Sequence, residues 1–385
     1  MKWKHQLSEL NFDRQEELAV TKVLRSEWLT MGENVSNFEA KFSKFLNSSR
    51  NSVAVSSATA GLHLILMALG IGPGDEIILP GLTFVSDANV VLQLGGTPIF
   101  ADCENIKHLN VSVEDIIKKI SKRTKAVIIV HFAGHPMDIK DLKSLCDRKS
   151  IMLIEDVAHA PGAEISGKMC GTLGHASFFS FFSNKNLACG EGGMVVCENQ
   201  KMSDAVKHMR SHGMSAVTLD RHLGRTNSYT VDAIGLNYRM DEIRAAIGLV
   251  QLRKLMDGNL RRQKLSDAYR LNLASTNVII PESKTTPKSI SANHIFPILL
   301  PISASRSMVI NKLKDKGIQT SIHYPSFSTF KAYKNFIKVG DLPVVDAICK
   351  RSLTLPLHPR MRKKDIFTIS QCLKEILAEA EGEKV

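Results

Sequence analysis

The sequence predicts an α/β fold: a mostly parallel central sheet covered on both faces by helices, followed by a smaller C-terminal α+β part. Three observations carry this. Between residues 53 and 197, short apolar runs of strand length alternate with helical stretches, the order that parallel strands joined by crossover helices require. Runs such as Ile151-Met-Leu-Ile are apolar at successive positions, as in strands buried on both faces. At 385 residues and 44% apolar composition, the chain is long enough for two or three domains and for a substantial core.

The elements follow in order. Strands are expected at Val53 to Ser56, Glu76 to Pro80, Thr97 to Ala101, Ala126 to His131, Ile151 to Glu155, Ala176 to Phe181 and Gly193 to Cys197. After the first, Ser57-Ala58-Thr59 leads into an apolar helix closed by Gly70. Free backbone N–H groups at such a helix start stabilise a phosphate through hydrogen bonds and the helix dipole. Ordinary N-capping by Ser57 or Thr59 is the alternative. His63 falls on the apolar side of that helix and reads as a core histidine. A long helix is expected from Asp241 through Lys254, then a β-like stretch from Ala292 to Leu300, a helix near Met308 to Lys316 and a last helix from Lys364 onward. The domain boundary is placed at 254/255, giving residues 1–254 with an N-terminal arm and residues 255–385.

Chemistry concentrates at two strand ends. The run from Ile151 ends in Glu155-Asp156, with His159 three residues on, and the carboxyl edge of an open α/β sheet is where ligands bind. Ser177-Phe-Phe-Ser180-Phe-Phe-Ser-Asn-Lys185 precedes the cluster Gly190-Glu-Gly-Gly193. A lysine enclosed there loses ammonium character and becomes an amine able to attack an aldehyde such as that of pyridoxal phosphate (PLP). Asp156 supplies the carboxylate that favours a protonated pyridine nitrogen. A solvated turn lysine and a strand-end Asp capping the next helix are the plain alternatives.

The net charge of +12 suits phosphorylated metabolites or nucleic acid. The clusters Lys118 to Arg123, Arg221 to Arg225 and Arg360 to Lys364 lack the interleaved aromatics of a nucleic-acid platform, so no nucleic-acid partner is expected. Arg221 and Arg225 read as a solvated loop or as contacts for a diphosphate. Seven scattered cysteines without a C-x-x-C pair fit a reducing compartment and suggest no metal site. Cys189 near Lys185 reads as a packing residue. No run of about eighteen apolar residues and no signal-like start occur, so a cytoplasmic protein without a membrane partner is expected.

In sum of order and motif, the chain resembles the nucleotide-sugar aminotransferase family, the DegT/StrS group of fold-type I PLP enzymes. The resemblance spans nearly the whole chain. It includes Trp28 to Glu39, Gly70 to Pro80 with Leu82-Thr-Phe84, Gly95 to Asp102, His131 to Pro136, the Lys185 segment, Gly235-Leu-Asn237-Tyr-Arg-Met240, Gly317 to Pro325 and Leu353 to Pro359.

The resemblance implies that Ala58 and Thr59 cradle the phosphate and that Phe84 stacks on the pyridine ring. It implies that Asp156 meets the ring nitrogen, His159 the ring hydroxyl, Ser180 the phosphate, and that Lys185 bonds the cofactor. Asn237 is implied to reach the phosphate of a neighbouring subunit, which makes a homodimer with shared active sites. Two departures stand out: Ala58 replaces the usual glycine and Gly61 the usual alanine, while Phe182 stands where many relatives carry histidine. Lysine at 185, where deoxygenating relatives carry histidine, argues for transamination. The implied reaction takes an amino group from an amino acid, glutamate by analogy, to a nucleotide-linked keto sugar, a 4-keto-6-deoxy sugar above all. Amination of a keto-cyclitol, PLP-dependent elimination on a sugar and a PLP-bound sensor are the rival readings.

Overall fold

A computed structural model describes residues 3–215, 228–282, 289–334, 336 and 339–382. Seven strands form the central sheet: β1 (Asn51–Val55), β2 (Glu76–Pro80), β3 (Thr97–Ala101), β4 (Thr124–Val130), β5 (Met152–Asp156), β6 (Ala176–Ser180) and β7 (Gly193–Cys197). Their spatial order is β1-β7-β6-β5-β4-β2-β3. Neighbours from β6 to β3 pair in parallel, and β7 runs antiparallel to both β6 and β1. All strands except β7 therefore end on one edge. That edge carries the site.

Every residue of β2, β6 and β7 is buried, which accounts for apolar residues at successive positions such as Ile77-Ile-Leu79, Phe178-Phe179 and Met194-Val-Val196. Successive side chains enter different cores. Phe178 packs with Val55, Leu62 and Val195 under the helix Ala58–Ala68, while Phe179 and Phe181 join Phe38 and Phe42 of the helix Glu33–Phe45 on the other face. The Phe42 and Phe179 rings meet edge to face, centroids 4.9 Å apart. Burial of each such ring contributes about 1.5–3 kcal/mol.

The expected helix from Asp241 through Lys254 instead runs uninterrupted over Glu242–Leu273. Its buried positions continue at Leu255, Asn259, Arg262, Leu265, Ser266, Tyr269 and Leu273, a helical repeat that passes Gly258 without a break. Leu255 belongs to the core with Phe38, whereas Leu265, Tyr269 and Leu273 belong to a C-terminal core with Ile298, Leu353 and Ile369. The change of core along this helix falls between Leu255 and Leu265, just past the division into residues 1–254 and 255–385 that we propose. The chain's start sits on the C-terminal side, since Lys4 N and His5 N donate to Gly317 O and Leu357 N donates to Leu7 O.

In that part, Phe296–Leu299 pairs antiparallel with Ser352–Leu355, flanked by the helices Arg306–Asp315 and Lys363–Gly382. Among the described residues no helix is long and apolar enough to cross a membrane. The Arg221 to Arg225 cluster lies outside the described residues.

Candidate active site

The carboxyl ends of the parallel strands open into a cavity of about 370 Å³, within the roughly 300–1,000 Å³ range of small-molecule sites. Seven of the eight residues singled out from the sequence line it: Ala58, Thr59, Phe84, Asp156, His159, Ser180 and Lys185. Asn237 does not. It is exposed on the segment that follows residue 228 and bridges to Ser211.

Lys185 stands in the irregular connection from β6 to β7, its N–H bonded to Phe182 O at 2.9 Å. The walls of the cavity enclose the amine while leaving the side chain partly open to it. Burial pulls its pKa down to about 8, opposed by the negative charge of Asp156. Its place in the cavity wall differs from that of a fully solvated turn lysine.

Asp156 closes β5 and is 6% exposed. Burial pushes its carboxyl up to about 6, against the Ala158 N–H, which donates at 2.7 Å, and the nearby Lys185. The carboxylate caps the following turn and also lines the cavity. At neutral pH it carries a charge opposite the lysine.

His159 is fixed on both sides. Ala133 N–H donates to Nδ1 at 3.3 Å, so the proton sits on Nε2 and is donated to Tyr324 Oη at 3.0 Å. Burial, then the positive charge of Lys185, holds its pKa well below the usual range and keeps it neutral. Burial also pushes the Tyr324 hydroxyl well up, so it remains a phenol.

The helix Ala58–Ala68 begins on the cavity. Ser57 is its N-cap, with Oγ accepting Ala60 N–H at 3.1 Å, which leaves the Ala58 and Thr59 N–H groups without intrahelical acceptors. Gly193 lets β7 pass this start: an added Cβ would lie 2.7 Å from Ala58 N and from Ser57 C. Ser180 Oγ, buried at the end of β6, accepts Phe182 N–H at 3.4 Å. Phe84 is 53% exposed, with its ring 5.7 Å from that of Tyr324.

The exchange at 58 and 61 has a packing reason. A Cβ on Gly61 would come within 2.9 Å of Val195 Cγ2, so alanine there presses on β7. His63 is only partly buried and its Nδ1 meets Tyr238 Oη at 3.0 Å, a satisfied structural contact. Cys189 is buried, its Sγ donates to Glu191 O, and burial pushes the thiol up to about 12. It is an inert packing residue.

Several lining residues were not assigned a role from the sequence. Tyr324 and His323 belong to the quoted Gly317 to Pro325 motif, yet nothing local says that this distant segment returns to the β5 edge. Thr83 also lines the cavity, and its Oγ1 donates to Asp87 Oδ2 at 2.5 Å. Asp87 is completely buried, and burial together with the Asp156 charge holds its carboxyl well above the usual range.

The residues present fit PLP. Free N–H groups at a helix start, with Ser180 and Thr59, suit a phosphate. A buried carboxylate, an enclosed amine and an exposed aromatic face supply the remaining contacts the cofactor requires.

The model of the DegT/DnrJ/EryC1/StrS aminotransferase family matches residues 11–374. An uncharacterised protein of Methanocaldococcus jannaschii is 34% identical over 367 residues, 94% of each chain. Among solved structures, the aminotransferase TlmJ from Streptoalloteichus hindustanus superposes with a TM-score of 0.90 at 29% identity, over 97% of this chain and 99% of that one. The PLP form of a putative sugar aminotransferase, Spr1654 from Streptococcus pneumoniae, gives 0.90 at 26% identity, over 97% and 99%. The chain belongs to the DegT/DnrJ/EryC1/StrS aminotransferase family, and it is a PLP-dependent enzyme of fold type I.

Proposed function

We propose, from membership of this family, that the protein moves an amino group from an amino acid, glutamate, to the keto group of a nucleotide-linked 4-keto-6-deoxy sugar. The observation that carries the reading is the meeting of Lys185, Asp156 and the free helix start in one cavity. The similar Streptococcus pneumoniae structure, described as a putative sugar aminotransferase, supports a sugar as the acceptor.

When bound, PLP supplies an electron-withdrawing ring that lowers the barrier to breaking the C–H bond beside the amino group. The chain does the rest. Lys185 holds the cofactor covalently and, once released, its amine takes the proton from the amino-bearing carbon and later returns one. A pKa of about 8 suits both directions near neutral pH. Asp156 holds negative charge where the ring nitrogen is to be kept protonated. Phe84 orients the ring, while Thr59, Ala58 and Ser180 bind phosphate. Neutral His159, steadied by Ala133 and Tyr324, presents a fixed hydrogen-bonding edge beside the site.

A homodimer completes the site in this reading. Asn237 lies outside its own chain's cavity on an exposed stretch that also shows Val231 and Ile234, 60% and 87% exposed. An apolar surface of this kind suits a second copy. The function is tested by incubating purified protein with glutamate and a panel of nucleotide-linked keto sugars, and following 2-oxoglutarate. Turnover of a 4-keto-6-deoxy substrate is expected. Failure of every nucleotide sugar with amination of a free keto-cyclitol overturns the substrate assignment.

A further inference from the structure

Lys185 sits in an irregular connection, so something must fix where its backbone stands. The next residue does this. Asn186 Nδ2 donates to Asn259 Oδ1 and to Ala292 O, each at 2.8 Å, and Asn186 Oδ1 meets His294 Nδ1 at 3.0 Å. Both amide hydrogens are committed, so Oδ1 accepts and the proton of the last bond belongs to His294 Nδ1.

Each partner is itself held. Asn259, 4% exposed on the long helix, donates from Nδ2 to Pro161 O at 2.9 Å. Ala292 N and His294 N donate to Gly134 O and Ala133 O, both at 2.9 Å. Arg262 Nη1 donates to His294 O at 3.0 Å. The His294 ring, 3% exposed, lies 4.6 Å from the His159 ring, and Ala133 is the residue whose N–H fixes His159. One buried network thus touches the residue after Lys185 on one side and the Asp156-x-x-His159 segment on the other.

We propose that Asn186 and His294 are positioning residues for Lys185, setting the place of its amine relative to Asp156 and His159. The groups that face His294 are Lys185, His159, Arg262 and His323; with burial as the larger cause, they keep the imidazole neutral. A neutral ring with its proton on Nδ1 is the form the bond to Asn186 needs.

Asn259 and segment 292–294 lie beyond residue 254 in the chain, and Ala292 packs in the same core as Phe38, Phe42 and Leu255. Fully satisfied buried networks of this kind fix geometry more than they add stability.

The inference rests on Lys185 being the reactive amine, and its test reads that amine without substrate. Full-length protein freed of cofactor is treated with an acylating reagent across a pH series, and modification of Lys185 is followed by mass spectrometry. The midpoint for the native chain is expected near 8. In Asn186→Ala and His294→Phe the released loop lets the ammonium reach water, and the midpoint rises by about one unit or more. In the loaded enzyme kcat falls about tenfold or more while KM for the acceptor stays within about twofold.

His294→Asn, whose amide nitrogen replaces the Nδ1 donor, restores the midpoint. Asn259→Ser removes one of three partners and gives a smaller rise, which serves should Asn186→Ala fail to fold. An unchanged midpoint in His294→Phe and Asn259→Ser, with melting temperature alone lowered, overturns the proposal. So does a His294→Asn variant indistinguishable from His294→Phe. Failure of every keto sugar with the midpoint shifts intact leaves positioning standing and removes only the substrate reading.

Discussion

Replacing Asp156 with Asn removes a charge and keeps a shape. The amide oxygen can still accept the Ala158 N–H that Asp156 accepts at 2.7 Å, so the turn after β5 should survive. Two electrical consequences follow, and they point in different directions. Lys185 loses the neighbour that favours its ammonium, so its pKa falls below about 8 and more free amine is present at neutral pH. Scarcity of amine cannot then account for a slow variant. In the proposed mechanism, however, the bound pyridine ring would lose the carboxylate that keeps its nitrogen protonated, and Asp156 is only 6% exposed, so water would do little to replace it. Loss of one preorganised group at a charge-developing centre costs about 2.7–4 kcal/mol, or about 10²–10³ in rate. The assay is single turnover of the loaded enzyme with glutamate by stopped-flow absorbance, with cofactor content measured in parallel. Retained cofactor and a 10²–10³ slower proton-transfer step are expected. A rate within about threefold of the native enzyme would refute the reasoning and leave Asp156 as a turn cap.

Borohydride treatment of the purified protein should fix the cofactor on Lys185, and Lys185→Ala should abolish turnover; a label on another lysine removes the assignment. Mixed dimers of Lys185→Ala and Asn237→Ala subunits should regain activity, because one of the two sites is then intact; stable heterodimers without activity place Asn237 in its own subunit's site or in none. Gly193→Ala drives a Cβ to 2.7 Å from Ala58 N and 2.8 Å from Phe179 O, so a loss of about 1–3 kcal/mol in urea denaturation and weaker PLP binding in titration are expected. Lys185 has a folded pKa of about 8 against 10.5 for the free side chain. The unfolded chain therefore binds more protons between those values, and stability of the cofactor-free protein rises with pH across that window. Lys185→Met should lack this contribution, and the pH dependence of the two unfolding curves measures the difference.

Much of the site was legible because its chemistry sits at strand ends. Asp156, His159, Ser180 and Lys185 each follow an apolar run whose burial could be read directly, and all four line one cavity. Three strands, Glu76–Pro80, Thr97–Ala101 and Gly193–Cys197, have the expected bounds. The length of the long helix was not legible. Past Lys254 its inward positions include Asn259, Arg262 and Ser266, polar side chains that disguise the apolar stripe although Asn259 and Arg262 are satisfied by Pro161 O and by His294 O and Leu357 O. Tyr324 and Asn186 were equally hidden, because their partners His159, Asn259 and His294 are distant in sequence. Long-range polar contacts leave no periodicity to read.

The direction of β7 explains why the lysine is where it is. A parallel sequel to β6 would begin at the opposite edge of the sheet, and residues 181–192 would have to cross the sheet to reach it. Because β7 is antiparallel, Ser180 and Gly193 are register partners on the same edge. The intervening connection stays at that edge, with Phe181 N bonded to Gly192 O and Cys189 N to Phe181 O, and its residues Phe182, Asn184, Lys185 and Glu191 line the cavity. The other neighbour of β7 is β1, whose carboxyl end leads into Ser57 and the helix start. One reversed strand thus brings the lysine connection and the free helix start at Ala58 together from opposite sides. The absent side chain of Gly193 is what lets them touch.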